Sequence, residues 1–310
     1  MSPVPIRHYL PVNEGGQFRQ ICLTEYGPSK PQETILCLPG LLETAAGWAD
    51  FANFFAQKHT VYVIDFAGRG LSAHLTDRAE YKMSSCLADI CSAVAFINGR
   101  HQQTHGKKFA ANSMPYQSCL HVVGNSMGGL LAVTLAAAEP MIVTSVVIND
   151  VAAVIPWAGL IALMGGIYNT GIRSNESNSS YSLAAVARSL DVDPRLLRAV
   201  MRPSYADLDL KQNLQGMSYE KYFSKILAPM LLVHSSGSQL VTPKVIEATQ
   251  LSKQIEVCSV PGDDHPVPYS TELNKKIEAF ILQSQDNPQD ASDEPDQVIS
   301  DWFNRFKGKK

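Results

Sequence analysis

Leu120-His121-Val122-Val123-Gly124-Asn125-Ser126-Met127-Gly128-Gly129-Leu130-Leu131 is the stretch whose reading decides the fold. The apolar run Leu120 to Val123, interrupted only by His121, reads as a buried strand. It meets Gly124-x-Ser126-x-Gly128, after which a pattern rich in Leu, Ala and Val continues as a helix to Glu139-Pro140. Strand, sharp turn and helix are the setting in which G-x-S-x-G makes a nucleophile elbow. Flanking glycines let the backbone turn without a Cβ in the way, so the serine side chain projects from the sheet top. A serine hydroxyl is a weak nucleophile alone. The rest of the chain should therefore supply a base, a group that orients the base, and donors for an oxyanion. The plain alternative is a Gly/Ser turn without chemistry.

Upstream, Arg7 to Val12 and Phe18 to Tyr26 alternate as two strands around Asn13-Glu14-Gly15-Gly16. Thr34 to Leu38 is a continuous apolar run, as a central parallel strand should be, and it ends in Pro39-Gly40-Leu41-Leu42. Helical spacing covers Trp48 to Gln57 and Met83 to Ile97, with the strand Val61 to Asp65 between them. His101 to Ser118 is polar and basic and reads as a surface insertion. Downstream, Val143 to Ile148 is a strand ending in Asn149-Asp150, and Met230 to His234 and Ile255 to Val260 are two more. Helices are expected after Pro243 and over 271–283. Strands alternating with helices predict an α/β fold, a mostly parallel central sheet covered on both faces. Asp65, before Gly68 and Gly70, is expected to fix its turn through side-chain-to-backbone bonds.

The alternation lapses over 151–226, read as a helical cap or lid inserted after the sixth strand into a core formed by 1–150 and 227–283. Val151 to Tyr168 carries no charge, but Pro156, Gly159, Gly165 and Gly166 interrupt it, so a hydrophobic lid fits better than a membrane span. Its apolar residues are Ile155, Trp157, Leu160, Ile161, Leu163 and Met164. Residues 284–310 read as an acidic linker followed by a short amphipathic tail.

The whole chain has 310 residues, 45% apolar and 18% charged, with a formal charge of −3, which gives no electrostatic argument for nucleic acid or an anionic membrane. Its six cysteines show no CxxC and no zinc-like spacing with histidine. With no basic-then-apolar leader at the N-terminus, the expectation is a reduced, cytoplasmic protein without cofactor or metal. Nothing in these numbers sets an oligomeric state.

Among eight histidines, His265 follows the last strand on Pro261-Gly262-Asp263-Asp264-His265-Pro266, at the edge where open α/β sheets place their sites. It is the candidate base. The oxyanion donors expected for such an elbow are the N–H of Met127 and that of Leu41, in the loop after the third strand.

Taken jointly and in order, Leu38-Pro39-Gly40, Asp65-x-x-Gly68-x-Gly70-x-Ser72, Gly124-Asn125-Ser126-Met127-Gly128-Gly129 and Gly262-x-x-His265 resemble the α/β-hydrolase fold superfamily. The resemblance covers roughly residues 15–283. Val147-Ile148-Asn149-Asp150 followed by Ile155-Pro156 is similar to a serine-esterase-like microbial subgroup, and the sextet Gly124 to Gly129 also recurs in carbon–carbon hydrolases of ring-cleavage products. The resemblance implies a helical cap at 151–226 and a triad acid in the turn after Met230 to His234. That turn reads Ser236-Gly237-Ser238-Gln239-Leu240, with glutamine where aspartate is expected. An amide offers no negative charge opposite an imidazolium, so a carboxylate should come from elsewhere. Asp150, at a strand end where some superfamily members place their acid, is the leading candidate. Asp263, Asp264 and Gln239 as a purely orienting residue stay open beside it.

The reading that follows is a carboxylesterase-like serine hydrolase with Ser126, His265 and Asp150 catalytic and Leu41 and Met127 forming the oxyanion hole. Leu42, Trp157 and Leu160 would contact a small, largely apolar ester. Carbon–carbon hydrolysis of a ring-cleavage product is an alternative, weakened by the lack of an arginine in the apolar lid. A degenerate fold that binds an apolar ligand without turnover is another.

Overall fold

The computed structural model describes residues 4–28, 33–105, 120–163, 165, 183–201, 216–253 and 255–285. In chain order the strands are β1 (Ile6–Glu14), β2 (Gln17–Tyr26), β3 (Thr34–Leu38), β4 (Thr60–Asp65), β5 (Leu120–Asn125), β6 (Val143–Asn149), β7 (Val154–Pro156), β8 (Gly216–Ser218), β9 (Met230–Ser235) and β10 (Glu256–Val260). Eight of them form one sheet in the order β1-β2-β4-β3-β5-β6-β9-β10, and β7 pairs with β8 in a small antiparallel ribbon. β2 is antiparallel to both β1 and β4, while β4, β3, β5, β6, β9 and β10 run parallel.

The continuous apolar runs have a simple cause. Each central strand is covered on both faces, so successive residues enter opposite cores. Leu36, Leu38, Tyr62, Ile64, Val122, Val146, Ile148 and Leu232 belong to one. Ile35, Cys37, Val61, Val63, Val123, Val147, Leu231 and Val233 belong to the other. The first face is covered by α2 (Met83–His105) and α3 (Met127–Ala138), the second by α1 (Ala49–Phe55) and the helix Thr271–Gln285. α3 is apolar all round, as a helix enclosed by the fold should be.

Several boundaries differ from expectation. The spacing places a helix over 48–57, whereas a 3₁₀ turn at Ala45–Trp48 leads into a shorter α1. α2 continues through His101, read from sequence as the start of a polar insertion, because that ring is buried with Nε2 2.7 Å from Thr34 Oγ1. The last helix includes Ser284 and Gln285, and Ser284 is buried with its hydroxyl donating to Phe280 O. Of the apolar lid residues, Ile155 is buried in the main core, Leu160 and Leu163 pack against it, and Ile161 is exposed. Met164, the rest of the proposed insertion at 106–119 and the tail 286–310 lie outside the described residues.

Between β6 and β9, helices Leu183–Ser189 and Pro194–Met201 form a separate apolar cluster of Ala187, Val192, Leu196, Leu197 and Val200. Leu41, Leu42 and Tyr81 pack against it. No helix among the described residues is long and apolar enough to cross a membrane.

Candidate active site

Ser126 stands between β5 and α3 at φ 49, ψ −116, a region that costs a residue with a Cβ roughly 1–3 kcal/mol. The turn has no room for side chains beside it. A Cβ on Gly124 would overlap the backbone of Gly128, and one on Gly128 would overlap the carbonyl oxygen of Leu38. Ser126 N–H donates to Asn149 O at 2.9 Å, tying the turn to β6.

The Ser126 hydroxyl oxygen lies 2.8 Å from His265 Nε2, and His265 Nδ1 lies 2.7 Å from Asp150 Oδ2. Three residues predicted from distant segments therefore meet in one hydrogen-bonded line. Asp150 sits at φ 55 just past β6, where its N–H donates to Val233 O at 2.8 Å. Its side chain is 1% exposed. A buried carboxylate needs donors. Ser238 Oγ donates to Oδ2 at 3.0 Å, and Ser235 N–H donates to Oδ1 at 3.4 Å. Oδ2 as acceptor at Nδ1 leaves Nε2 free to accept from the serine.

The loop that carries His265 is clamped to the sheet by a neighbouring side chain. Asn149 Nδ2 donates to Val267 O at 2.9 Å, and Val267 N–H returns a bond to Asn149 Oδ1 at 3.0 Å. Next to Ser126 in the chain, Asn125 is held by Glu43, whose Oε2 accepts from Gly40 N–H at 2.7 Å, Trp48 Nε1 at 3.2 Å and Asn125 Nδ2 at 3.2 Å. Tyr269 OH donates to Asn125 Oδ1 at 2.6 Å. Burial raises the Tyr269 phenol well above its ordinary range, which keeps it a donor.

Leu41 and Met127 are half-buried, and the Arg69 side chain reaches both. Among the described residues no acceptor takes either N–H. Met127 is the first residue of α3, where backbone N–H groups lack partners within the helix. Gln239 is exposed and takes no part in the line, since its neighbour Ser238 reaches Asp150 while Asp150 holds Nδ1. Asp263 and Asp264 are exposed as well, and among the described residues neither carboxylate reaches His265, while the Asp264 carbonyl accepts from Ser235 Oγ at 2.7 Å. Asp65 accepts from Ala45 N–H at 2.6 Å and Leu71 N–H at 3.1 Å, the turn-fixing bonds expected of it. Leu42 packs on the 183–201 helices and Leu160 on the main core. Trp157 is half-buried. Among the described residues no group of three or more His, Cys, Asp or Glu is arranged to hold a metal ion.

Sequence reading missed Glu43, Ser235, Ser238 and Tyr269. Glu43 and Tyr269 meet Asn125, and Ser235 and Ser238 meet Asp150, from segments far away in sequence, so no local spacing marks these contacts. The doublet Asn149-Asp150 did carry a signal, two polar residues closing a buried strand, but only Asp150 was singled out.

A model of the alpha/beta hydrolase family matches residues 35–298. The chain belongs to that family. Among curated proteins, this α/β hydrolase is 28% identical over 131 residues to "Serine hydrolase-like protein" of Danio rerio. The match covers 42% of this chain and only 34% of that one, so the chain spans about a third of that relative. An alpha/beta hydrolase from Novosphingobium aromaticivorans superposes with a TM-score of 0.66 at 18% identity, covering 90% of this chain and 98% of that chain. The esterase RhEst1 from a Rhodococcus species gives 0.60 at 16% identity, with 89% and 98% covered. These structural likenesses show the fold.

Proposed function

We propose that this α/β hydrolase cleaves a carboxylic ester of a small, largely apolar substrate through an acyl-enzyme on Ser126. The observation that carries the reading is the line from Ser126 Oγ through His265 to the Asp150 carboxylate, 2.8 and 2.7 Å long. His265 Nε2 takes the hydroxyl proton as Ser126 attacks the carbonyl carbon. The Asp150 carboxylate holds the ring and opposes the charge it gains. The oxyanion is received by Leu41 N–H and Met127 N–H, the second at a helix N-terminus that favours negative charge. His265 then hands its proton to the leaving alcohol; in the second half it takes one from the water that attacks the acyl carbon and returns it to Ser126 Oγ as the acyl bond breaks, releasing the acid.

Residues 151–226 act in this reading as a helical cap on the core formed by 1–150 and 227–283. Its cluster of Val192, Leu196, Leu197 and Val200 rests on Leu41 and Leu42, which favours an apolar acyl or alcohol group. Leu42, Trp157 and Leu160 are the proposed substrate contacts. The esterase among the structural neighbours accords with this choice. Carbon–carbon hydrolysis needs a cation for the substrate carboxylate. Arg69, whose guanidinium touches Met127, is 2% exposed and committed to two backbone carbonyls.

A fluorophosphonate probe and a series of nitrophenyl esters of increasing chain length test the reading. The expected result is labelling and turnover by the wild type, both abolished in Ser126→Ala. Absence of both from the wild type would discard the proposal and leave a binding fold.

A further inference from the structure

Arg69 is 2% exposed, yet among the described residues its guanidinium joins no ion pair. Burying an unpaired charge costs several kcal/mol, roughly. An apolar side chain would fill the same space without that cost. What the guanidinium does is therefore informative. Nε donates to Leu41 O at 2.7 Å, and Nη1 donates to Ala67 O at 3.0 Å. Nη2 lies 3.9 Å from Met127 Sδ, and the planar group sits 5.6 Å from the centre of the Phe66 ring. One fork thus spans Leu41 and Met127, whose N–H groups have no acceptor among the described residues.

The loop that carries Arg69 is itself fixed on two sides. Toward the core, Arg69 N–H donates to Phe66 O at 3.0 Å, Ser72 N–H donates to Arg69 O at 3.1 Å, and Gly68 N–H donates to Ala73 O at 2.9 Å. Toward the 183–201 helices, Arg69 bridges Val192 in antiparallel fashion. Gly70 N–H donates to Asp191 O and Asp193 N–H to Gly68 O, each at 2.8 Å. Asp193 is held in turn by the Tyr81 hydroxyl at 2.6 Å. Of the acidic side chains around the same loop, Asp65 accepts from Leu71 N–H at 3.1 Å, and Asp89 accepts from Ala67 N–H and is paired with Arg19 at 2.9 Å.

We propose that Arg69 is a positioning residue for the oxyanion hole: its fork holds the Leu41 carbonyl and the Met127 side chain so that both N–H groups stay aimed at one oxygen. Pinning the carbonyl of residue 41 fixes the peptide planes on either side of it. A planar group with several donors in a rigid arrangement suits that task, where a point charge would not. The positive charge also favours the negative charge that develops on the substrate oxygen. This inference rests on the serine-hydrolase reading above.

The test compares Arg69→Met and Arg69→Lys with the wild type. It measures kcat and KM on a nitrophenyl ester, inhibition by an alkyl trifluoromethyl ketone, and fluorophosphonate labelling. The ketone adds to Ser126 and puts its oxyanion in the hole, so it reports transition-state fit separately from substrate binding. Arg69→Met is expected to lower kcat about 10- to 100-fold, less than or comparable to loss of one direct donor, with KM within about threefold. Ketone affinity should fall by the same factor as kcat. Arg69→Lys keeps the charge but not the fork, and should fall between the two. If Arg69→Met does not fold, Arg69→Lys decides alone, with an expected loss of about three- to tenfold in both kcat and ketone affinity. Unchanged kcat and ketone affinity in a folded variant would overturn the inference. So would a rise in KM at constant kcat, which would make Arg69 a substrate anchor instead. A wild type that neither labels nor turns over would overturn the underlying reading itself, an outcome distinct from an active wild type beside an unaltered variant.

Discussion

Asp150 Oδ2 lies 2.7 Å from His265 Nδ1, and the same oxygen accepts the Ser238 hydroxyl at 3.0 Å. The carboxylate is 1% exposed and comes from the end of β6, while its second donor comes from the turn after β9. Two strand ends that are neighbours in the sheet thus share one acid.

Asp150→Asn keeps the shape of this arrangement and removes its charge. An amide can also present N–H₂ to Nδ1 and favour the wrong tautomer. In a serine protease the corresponding change costs about 10⁴ in kcat, and a loss of about 10³–10⁴ is expected here. Gln239→Ala should stay within about twofold, because that side chain is exposed and apart from the line. Ester turnover by both variants checks this, and the reverse ranking would refute Asp150 as the acid.

Much of this architecture was legible because local pattern and fold agree. Thr34–Leu38 has the extent expected of it from its apolar run. The strand–turn–helix around Ser126 is equally local. The carboxylate required more, since a glutamine at 239 removed the usual signal and only the end of a different strand could replace it. Glu43 and Tyr269 were not legible at all. Each acts on Asn125 from a segment far away in sequence, 82 and 144 residues distant, where pairing exists only once the sheet has formed. His101 was misread for a related reason. A polar residue looks solvated in sequence until Thr34 supplies its buried partner.

The elbow's glycines are needed for space. A Cβ at Gly124 or Gly128 would run into backbone, which cannot swing aside as a side-chain tip can. Gly124→Ala and Gly128→Ala should each destabilise by about 3 kcal/mol or more. Gly99 in α2 is the control, with nothing within 4 Å of an added Cβ. Gly99→Ala should instead raise stability by about 0.5–1 kcal/mol, because alanine has less backbone freedom to lose on folding. Denaturant unfolding of the three variants distinguishes these signs.

Glu43 joins the loop after β3 to the end of β5 by accepting from Gly40 and Asn125, the residues just before Leu41 and Ser126. Every partner of its carboxylate is an N–H donor. Glu43→Gln would turn an N–H₂ toward one of them. A stability loss of about 1–3 kcal/mol is expected, together with a fall in kcat that exceeds any rise in KM. Tyr269→Phe removes one bond to Asn125 and should cost about 1 kcal/mol. Full stability and full kcat in Glu43→Gln would show that the network does not position the site.

Acid should destabilise the fold through His121, which lies in β5 away from Ser126 just past that strand's end. The ring is fully buried, with Nδ1 2.8 Å from Ser145 Oγ, and Nε2 has no hydrogen-bond partner among the described residues, the Glu33 carboxylate lying 3.9 Å away. Burial pulls its pKa from 6.5 to about 4, with nearby His59 adding to the fall and Glu33 opposing it. Between those values the unfolded chain takes up a proton that the folded chain refuses. The stability that neutral His121 contributes is therefore present above pH 6.5 and is lost as the pH falls toward 4, by at most about 3 kcal/mol. Asp89 has the opposite sign over much of the same window. Burial lifts its carboxyl from 3.8 to about 6 against the pull of Arg19, so its contribution is lost as the pH rises. The two must be separated by difference. Urea unfolding of the wild type and of His121→Gln from pH 4.5 to 7.5 should give curves that diverge, the wild type losing more stability at the acid end. Parallel curves would mean that the ring titrates normally in the folded chain.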